Sequence, residues 1–199
     1  MALIDDGIEA LKALLSCVHS DGYFEAHAYI EEKNEAKLKK LCLSELTPGM
    51  LLLATDKGRN FDNEGRKLGR YACMSPLFKQ DGKFDQNRAC DAVLIRKVSA
   101  GCELFYIELK SDNPSGFAGQ FKSTQAFMGY VLYLVDLFCN IKLEIKRERY
   151  IVFHTDSKNA THRGKKQKTR FSPKDANTAE SPMKFCVRNN DTIRCTEFF

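Results

Sequence analysis

Residues 91–110 read DAVLIRKVSAGCELFYIELK, two runs rich in β-branched and aromatic residues on either side of Ser99-Ala100-Gly101. Their composition predicts a strand over Asp91–Val98, a tight turn, and a returning strand over Cys102–Lys110. If the turn is centred between Ser99 and Ala100, residues that face each other across the hairpin have numbers that sum to 199. The stretch therefore predicts not only a hairpin but also its register.

In this register both faces of the hairpin are apolar. Val93 faces Tyr106 on one side of the sheet, and Leu94 faces Phe105 on the other. Strands that are apolar on both faces are typical of the centre of an α/β sandwich, where each face is covered.

The same register places Asp91 opposite Glu108, and Lys110 on the face of Glu108, because strand side chains alternate with period two. Facing acids in a buried sheet are destabilising, and a divalent cation between them relieves the repulsion. Oxygen ligands of this kind suit Mg²⁺ or Mn²⁺. Lys110 would then reach the attacking water or the scissile phosphate. The alternative is that each acid marks the point where a strand emerges into solvent.

The rest of the chain is organised around this hairpin. We predict these flanking elements: a helix following the spacing of Ile4 to Val18 and begun by Asp5 or Asp6, a second helix over 24–41, a strand over 50–54, a buried helix over 117–139, a strand over 149–154, and a terminal hairpin of 184–187 with 192–198. Residues 56–88 suggest long loops with a possible strand at 71–78. The order is that of an α/β fold with a mixed central sheet.

This order predicts a single domain over residues 1–199. Its parts are N-terminal helices over 1–45, a catalytic core over 46–155, and a basic loop with a small C-terminal β extension over 156–199.

Composition narrows the functional classes. The chain has 43% hydrophobic and 29% charged residues and a net charge of +5, the balance of a globular protein compatible with a polyanionic partner. No apolar stretch is long enough to span a bilayer, and the N-terminus lacks the basic start of a secretion signal, so we expect a cytoplasmic protein without membrane contact. The eight cysteines contain no CxxC pair and predict free, mostly buried thiols.

Two segments around the hairpin resemble the PD-(D/E)XK nuclease superfamily, most closely its small standalone members. They are Arg88-Ala89-Cys90-Asp91-Ala92-Val93-Leu94 and Phe105-Tyr106-Ile107-Glu108-Leu109-Lys110-Ser111-Asp112, followed by a predicted helix that carries Gln120. The resemblance covers residues 88–130, and beyond them only the element order αβββαβ agrees. It implies a restriction-endonuclease-like sandwich.

The resemblance also implies roles for individual residues. Asp91, Glu108 and the main-chain carbonyl of Leu109 would hold Mg²⁺ or Mn²⁺, Lys110 would orient or activate the attacking water, and Gln120 would support the site. A further acid from the first core helix is implied, for which Glu25, Glu32 and Glu35 are the candidates. The chain departs from the family where no proline precedes Asp91 and where Thr124 replaces the tyrosine of a QxxxY motif.

The function implied is metal-dependent hydrolysis of phosphodiester bonds, in DNA rather than RNA, in a role such as antiviral defence against phage. The alternative is a non-catalytic subunit that binds nucleic acid or a partner ATPase or helicase, and a homo-oligomer is equally compatible with the sequence. Six basic residues and no acid lie between 161 and 174, where Lys165, Lys166, Lys168 and Arg170 would contact phosphates or else form a solvated loop.

Three further features are open to a functional or a structural interpretation. His154, at a strand end, could reach the site but is more simply structural. The triplets Glu31-Glu32-Lys33 and Glu35-Ala36-Lys37 fit a solvated helix face, and Glu144-Ile145-Lys146 fits a half-exposed strand or helix end.

Overall fold

The structure, a computed structural model, describes residues 6–20, 22, 27–31, 38–55, 86, 88–99, 101–111, 115–155 and 177–199. Within these residues the elements in chain order are α1 Gly7–Leu14, β1 Val18–Ser20, β2 His27–Glu31, β3 Lys40–Ser44, β4 Met50–Leu53, β5 Ala92–Val98, β6 Gly101–Lys110, α2 Ala118–Cys139, β7 Ile145–His154, β8 Met183–Cys186, β9 Thr192–Arg194 and a terminal 3-10 helix Cys195–Phe198. The predicted α/β class is confirmed.

The central sheet has the strand order β1-β4-β5-β6-β7-β8. The pairs from β1 to β6 are antiparallel, and β6-β7 and β7-β8 are parallel. The sheet is therefore mixed, as predicted, and its two middle strands are the hairpin. A second sheet, β2-β3-β9, combines an antiparallel and a parallel pair.

The predicted register of the hairpin is confirmed. Val93 pairs with Tyr106 and Leu94 with Phe105, so the paired numbers sum to 199. The turn ends at Gly101, whose φ of +151° and close approach to the next segment leave no room for a side chain. A Cβ there would lie 2.0 Å from the Glu144 carbonyl, which accepts the N–H of Cys102 at 2.8 Å.

Both faces of the central sheet are covered, by different layers. On one face Val93 and Tyr106 join the helix-side core, which includes residues of α1 and α2 such as Leu11 and Phe121. On the other face Leu94 and Phe105 join a second core shared with β2, β3 and the terminal 3-10 helix. The restriction-endonuclease-like sandwich remains a prediction.

The predicted helix over 24–41 is wrong. Strands β2 and β3 lie there and pair antiparallel. In β2 the buried Ala28 and Ile30 alternate with the exposed His27 and Tyr29, the period of a strand. The Glu- and Lys-rich composition on which the helix prediction rested belongs to residues 32–37, which lie outside the described residues. The described part of the N-terminal region therefore combines one helix, α1, with strands β1, β2 and β3.

The first helix is shorter than its apolar spacing predicted. Asp6 caps it by accepting the N–H of Ile8 at 2.8 Å, and it ends at Leu14, while Val18 belongs to β1. The predicted strands at 50–54 and 149–154 are present as β4 and β7, and the predicted helix over 117–139 is present as α2.

The predicted terminal hairpin is also wrong, because its two arms belong to different sheets. β8 extends the central sheet beside β7, whereas β9 lies parallel to β3. The turn at Asn189 carries the chain between the two sheets, and the Oδ1 atom of Asn189 accepts the N–H groups of Lys39 and Lys40. The predicted possible strand at 71–78 and the basic segment at 161–174 lie outside the described residues.

Two further predictions concern the chain as a whole. The seven described cysteines are free, as predicted, and four of them are buried: Cys42, Cys90, Cys102 and Cys195. Within the described segments, no helix has both the length and the apolar character needed to cross a membrane.

Candidate active site

Two acids converge at the open end of the central hairpin. Asp91 immediately precedes β5, and Glu108 is the third residue from the end of β6. Asp91 is 5% exposed and Glu108 is 1% exposed. Because both follow the alternation of Val93 and Tyr106, both lie on the helix side of the sheet. Burial of two carboxylates is costly unless hydrogen bonds or opposite charges compensate it.

Asp91 is held by the main chain of β6. Its Oδ2 atom accepts the N–H of Leu109 at 2.5 Å. The N–H and C=O of one strand residue point to the same edge, and successive residues alternate. The Lys110 carbonyl accordingly faces β7, where it accepts the N–H of Thr155 at 3.4 Å. The Leu109 carbonyl therefore faces the edge at which Asp91 lies.

Lys110 connects the acids to helix α2. Its Nζ atom lies 2.5 Å from the Glu108 Oε1 atom and donates to the Gln120 Oε1 atom at 3.0 Å. The lysine side chain is 23% exposed, whereas that of Glu108 is almost fully buried. The ammonium group thus compensates the buried Glu108 carboxylate, and the lysine side chain remains partly exposed.

Gln120 is fixed at both ends of its amide. Besides accepting from Lys110, it donates from Nε2 to the Ala89 carbonyl at 3.2 Å. Ala89 belongs to the segment that leads into Asp91 and β5. Gln120 therefore forms hydrogen bonds both to the lysine on β6 and to the backbone that leads into Asp91. Through this one side chain, α2 is connected to β6 and to the start of β5.

Two buried threonines reinforce this connection and were missed from the sequence. The Thr124 hydroxyl accepts the N–H of Cys90 at 2.9 Å and donates to the Gln120 carbonyl at 2.9 Å. The Thr55 hydroxyl donates to the Cys90 carbonyl at 2.5 Å. A signal existed for Thr124: it lies one helical turn after Gln120, on the same face of a largely apolar helix.

Cys90 lies against the two acids but is not suited to nucleophilic chemistry. Burial raises the pKa of its thiol, and the Glu108 and Asp91 carboxylates raise it further. Its Sγ atom donates to the Ala92 carbonyl at 3.3 Å. A nucleophilic cysteine needs a lowered pKa and solvent access. Cys90 therefore serves as packing and as a hydrogen-bond donor.

His154 lies next to Lys110 on the adjacent strand. The two are register partners in the parallel β6-β7 pair, and His154 shares the face of Tyr150 and Val152, which belong to the helix-side core. The ring is partly buried, and its Nδ1 atom is 3.2 Å from the Thr155 carbonyl oxygen. The structure thus places this histidine at the margin of the site.

The donor set fits a hard divalent cation. Asp91, Glu108 and the Leu109 carbonyl offer oxygen atoms, and Mg²⁺ in proteins is commonly held by one or two carboxylates, with water and substrate phosphate as its remaining ligands. The described part of the chain contains no cluster of three or more His, Cys, Asp or Glu side chains suited to a metal. The candidates for a third acid, Glu25, Glu32 and Glu35, and the basic residues Lys165, Lys166, Lys168 and Arg170 lie outside the described residues.

A second Glu-x-Lys triplet shows what distinguishes the site. Glu144 and Lys146 pair with each other at 2.6 Å at the start of β7, and their side chains are 54% and 40% exposed. The motif and the ion pair are the same as at Glu108 and Lys110, but the side chains of Glu144 and Lys146 are much more exposed to solvent. This agrees with the predicted half-exposed strand end. The triplets at 31–33 and 35–37 extend beyond the described residues.

The convergence of Asp91, Glu108, Lys110 and Gln120 is thus a property of the fold, with α2 and the hairpin each contributing. Compared with known proteins, the chain matches no protein-family model, no curated protein and no solved structure.

Proposed function

We propose that the protein is a magnesium-dependent nuclease of the PD-(D/E)XK type that hydrolyses phosphodiester bonds, with DNA as the expected substrate. The observation that carries this proposal is the position of Lys110, whose Nζ atom contacts both Glu108 on its own strand and Gln120 on α2. A partly exposed lysine paired with a buried acid, with a second buried acid nearby, supports metal-assisted hydrolysis of a phosphodiester, because it offers oxygen ligands and a positive charge at one place.

Each residue has a defined part in this proposal. Asp91, Glu108 and the Leu109 carbonyl would hold Mg²⁺ or Mn²⁺, which when bound supplies the Lewis acidity that favours deprotonation of an attacking water and offsets charge on the phosphate. Lys110 places its ammonium where negative charge develops on the phosphoryl oxygens, and Gln120 restricts the positions that this ammonium can take.

The reaction is a hydrolysis and needs no other co-reactant. A bond forms between the water oxygen and phosphorus, the bond from phosphorus to the leaving sugar oxygen breaks, and the leaving oxygen takes up a proton. The net charge of +5 favours approach of a polyanion. An effector role in phage defence, with an ATPase or helicase as partner, is compatible with this chemistry.

The experiment that tests the proposal is plasmid cleavage by purified protein with Mg²⁺ or with EDTA. The wild type should cleave only with Mg²⁺, and Asp91→Asn and Lys110→Met should each lower the rate by about 10²-fold or more. Lys146→Met is the matched control, since it removes the lysine of the exposed triplet, and it should cleave like the wild type. Circular dichroism and thermal unfolding establish that each variant is folded.

Three other outcomes of the cleavage experiment would change the proposal. Cleavage that survives both Asp91→Asn and Lys110→Met would defeat the assignment of this site. Nucleic-acid binding without cleavage, equal in the wild type and both variants, would favour the alternative of a non-catalytic subunit. Cleavage that appears only when a partner ATPase or helicase is added would retain the site and make the protein a regulated effector.

A further inference from the structure

The outer face of α2 carries large apolar side chains that the fold leaves uncovered. Tyr130, Tyr133 and Leu137 are 58%, 60% and 58% exposed. Their spacing of three and four residues places them on one side of the helix, opposite the buried residues that pack against the central sheet. We define the outer stripe as the exposed residues of this face from Ala126 to the C-cap residue Asn140: Ala126, Gly129, Tyr130, Tyr133, Asp136, Leu137 and Asn140.

The composition of this stripe is unusual for a helix face in water. From Ala126 to Asn140 its only charged residue is Asp136, and the next exposed position of this face towards the N-terminus is Lys122, one turn earlier. Solvent-facing helix positions are ordinarily richer in Lys and Glu. Single exposed apolar residues need no explanation, but contiguous ones at helical spacing mark an interaction surface. Tyrosine is also a residue enriched at protein interfaces. We therefore expect the outer stripe to bind another protein surface.

The positions of the outer stripe lie at equal spacings on either side of Tyr133, but different residues occupy them. Positions three residues away on either side are Tyr130 and Asp136, and positions four residues away are Gly129 and Leu137. An antiparallel helix pair related by a twofold axis at Tyr133 would therefore set Tyr130 against Asp136 and Leu137 against Gly129, with Tyr133 facing its own copy. Such self-complementarity is what a twofold interface requires. The next positions outward, Ala126 and Asn140, follow the same symmetry.

We propose that the occupant of the outer stripe is a second copy of this chain, packed antiparallel across this axis. Leu137 of each copy would fit over Gly129 of the other, where no described residue has an atom within 4 Å of the position a Cβ would take. The Tyr130 hydroxyl would donate to the Asp136 carboxylate of the second copy. The two Tyr133 rings would meet at the axis, where tyrosines favour an offset stack.

The expected affinity is modest. An aromatic side chain contributes about 150–250 Å², so the exposed parts of two tyrosines supply roughly 250 Å² per copy. A standard interface buries about 800 Å² per partner, and Leu137 with the flanking stripe residues supplies only part of the remainder. We therefore expect a dimer with a dissociation constant in roughly the micromolar range. Since Gln120 and Thr124 lie on the other side of α2, this dimer does not depend on the candidate active site.

The experiment is sedimentation velocity over a concentration series with the wild type and three variants. Tyr133→Lys places like charges at the axis and should give a monomer. Gly129→Leu should also give a monomer while keeping the fold, because the added side chain meets open space within one copy and helix propensity improves. Phe138→Ala is the matched control: Phe138 is 67% exposed but lies off the outer stripe, and this variant should dimerise like the wild type.

Two results would overturn the proposal. One is a wild type that stays monomeric at about 100 μM, well above the expected dissociation constant; another segment of the chain or a different protein would then cover the outer stripe. The other is a dimer that persists in both Tyr133→Lys and Gly129→Leu. Circular dichroism and thermal unfolding show that loss of the dimer is not loss of the fold.

Discussion

The main-chain N–H of Leu109 donates a 2.5 Å hydrogen bond to the Oδ2 atom of Asp91, which lies eighteen positions earlier. This bond extends the pairing of the central hairpin to the candidate site, because Asp91 lies immediately before the first residue of β5. It also fixes the Asp91 carboxylate against the main chain of Leu109, the residue that follows Glu108. A shift of the hairpin by one residue would move Glu108 and Lys110 to the other face of the sheet, so the site depends on the register.

Replacement of Gln120 by Ala should weaken the proposed activity without unfolding the protein. The change removes the acceptor for the Lys110 Nζ atom and the donor to the Ala89 carbonyl. We expect the cleavage rate to fall by about tenfold and the stability by about 1–2 kcal/mol. Plasmid cleavage and urea unfolding measure the two effects.

Gln125→Ala is the matched control, since Gln125 lies on the same helix and donates to Glu148 at 2.8 Å, away from the site. It should cost similar stability and leave cleavage unchanged. Equal loss of cleavage in both variants would show that Gln120 acts only through helix stability.

Thr124→Val should destabilise the protein although the side chain keeps its shape. Thr124 is fully buried, and valine cannot accept the N–H of Cys90. A buried donor left without its acceptor costs about 1–3 kcal/mol. Thr124→Ser keeps the hydroxyl and loses one methyl group, which costs about 1 kcal/mol. In urea unfolding the serine variant should therefore lie only slightly below the wild type and the valine variant well below it; the reverse order of the two variants would refute the role of the hydroxyl.

The Glu103 carboxylate should make stability depend on pH. Burial opposes ionisation of Glu103, but hydrogen bonds from Arg147 and Arg96 prevail and hold the pKa of this carboxyl below 4.5, its ordinary value. A lowered folded-state pKa stabilises the protein above the unfolded pKa, and this contribution is lost as the pH falls through the folded pKa. Glu103→Gln should therefore cost about 1.5–3 kcal/mol at neutral pH.

The difference in unfolding free energy between the wild type and Glu103→Gln should shrink progressively once the pH drops below 4.5. Urea unfolding at a series of pH values measures it. A difference that stays constant down to acid pH would mean that the arginines do not stabilise the ionised form of Glu103.

The central hairpin was predictable because two local signals agree. The turn at 99–101 sets the pairing, and apolar residues on both faces fit the same pairing. The common face of Asp91, Glu108 and Lys110 then follows from the alternation of strand residues. In the same way, the long apolar segment at α2 predicted the helix that carries Gln120. The residues within these elements are therefore sufficient to predict them.

The elements that were predicted wrongly depend on distant partners. β9 pairs with β3, some 150 positions earlier, and a parallel pairing of that kind leaves no turn signal between the strands. β2 and β3 flank a segment whose charged residues favour a helix locally. The role of Thr124 was hidden for the same reason, because its partner Cys90 is 34 positions away. Burial, which separates Glu108–Lys110 from Glu144–Lys146, likewise emerges only from the fold.

The central claim is that Asp91 and Glu108 hold one divalent cation, and direct titration with Mn²⁺ tests it independently of activity. Electron paramagnetic resonance reports free Mn²⁺ while protein is added, for the wild type, Asp91→Asn, Glu108→Gln and the control Glu144→Gln from the exposed triplet. The wild type and Glu144→Gln should bind one Mn²⁺ per chain, and the two site variants should bind at least about tenfold more weakly. Equal binding by the wild type and Glu108→Gln, or no binding by the wild type at about 1 mM Mn²⁺, would contradict the claim.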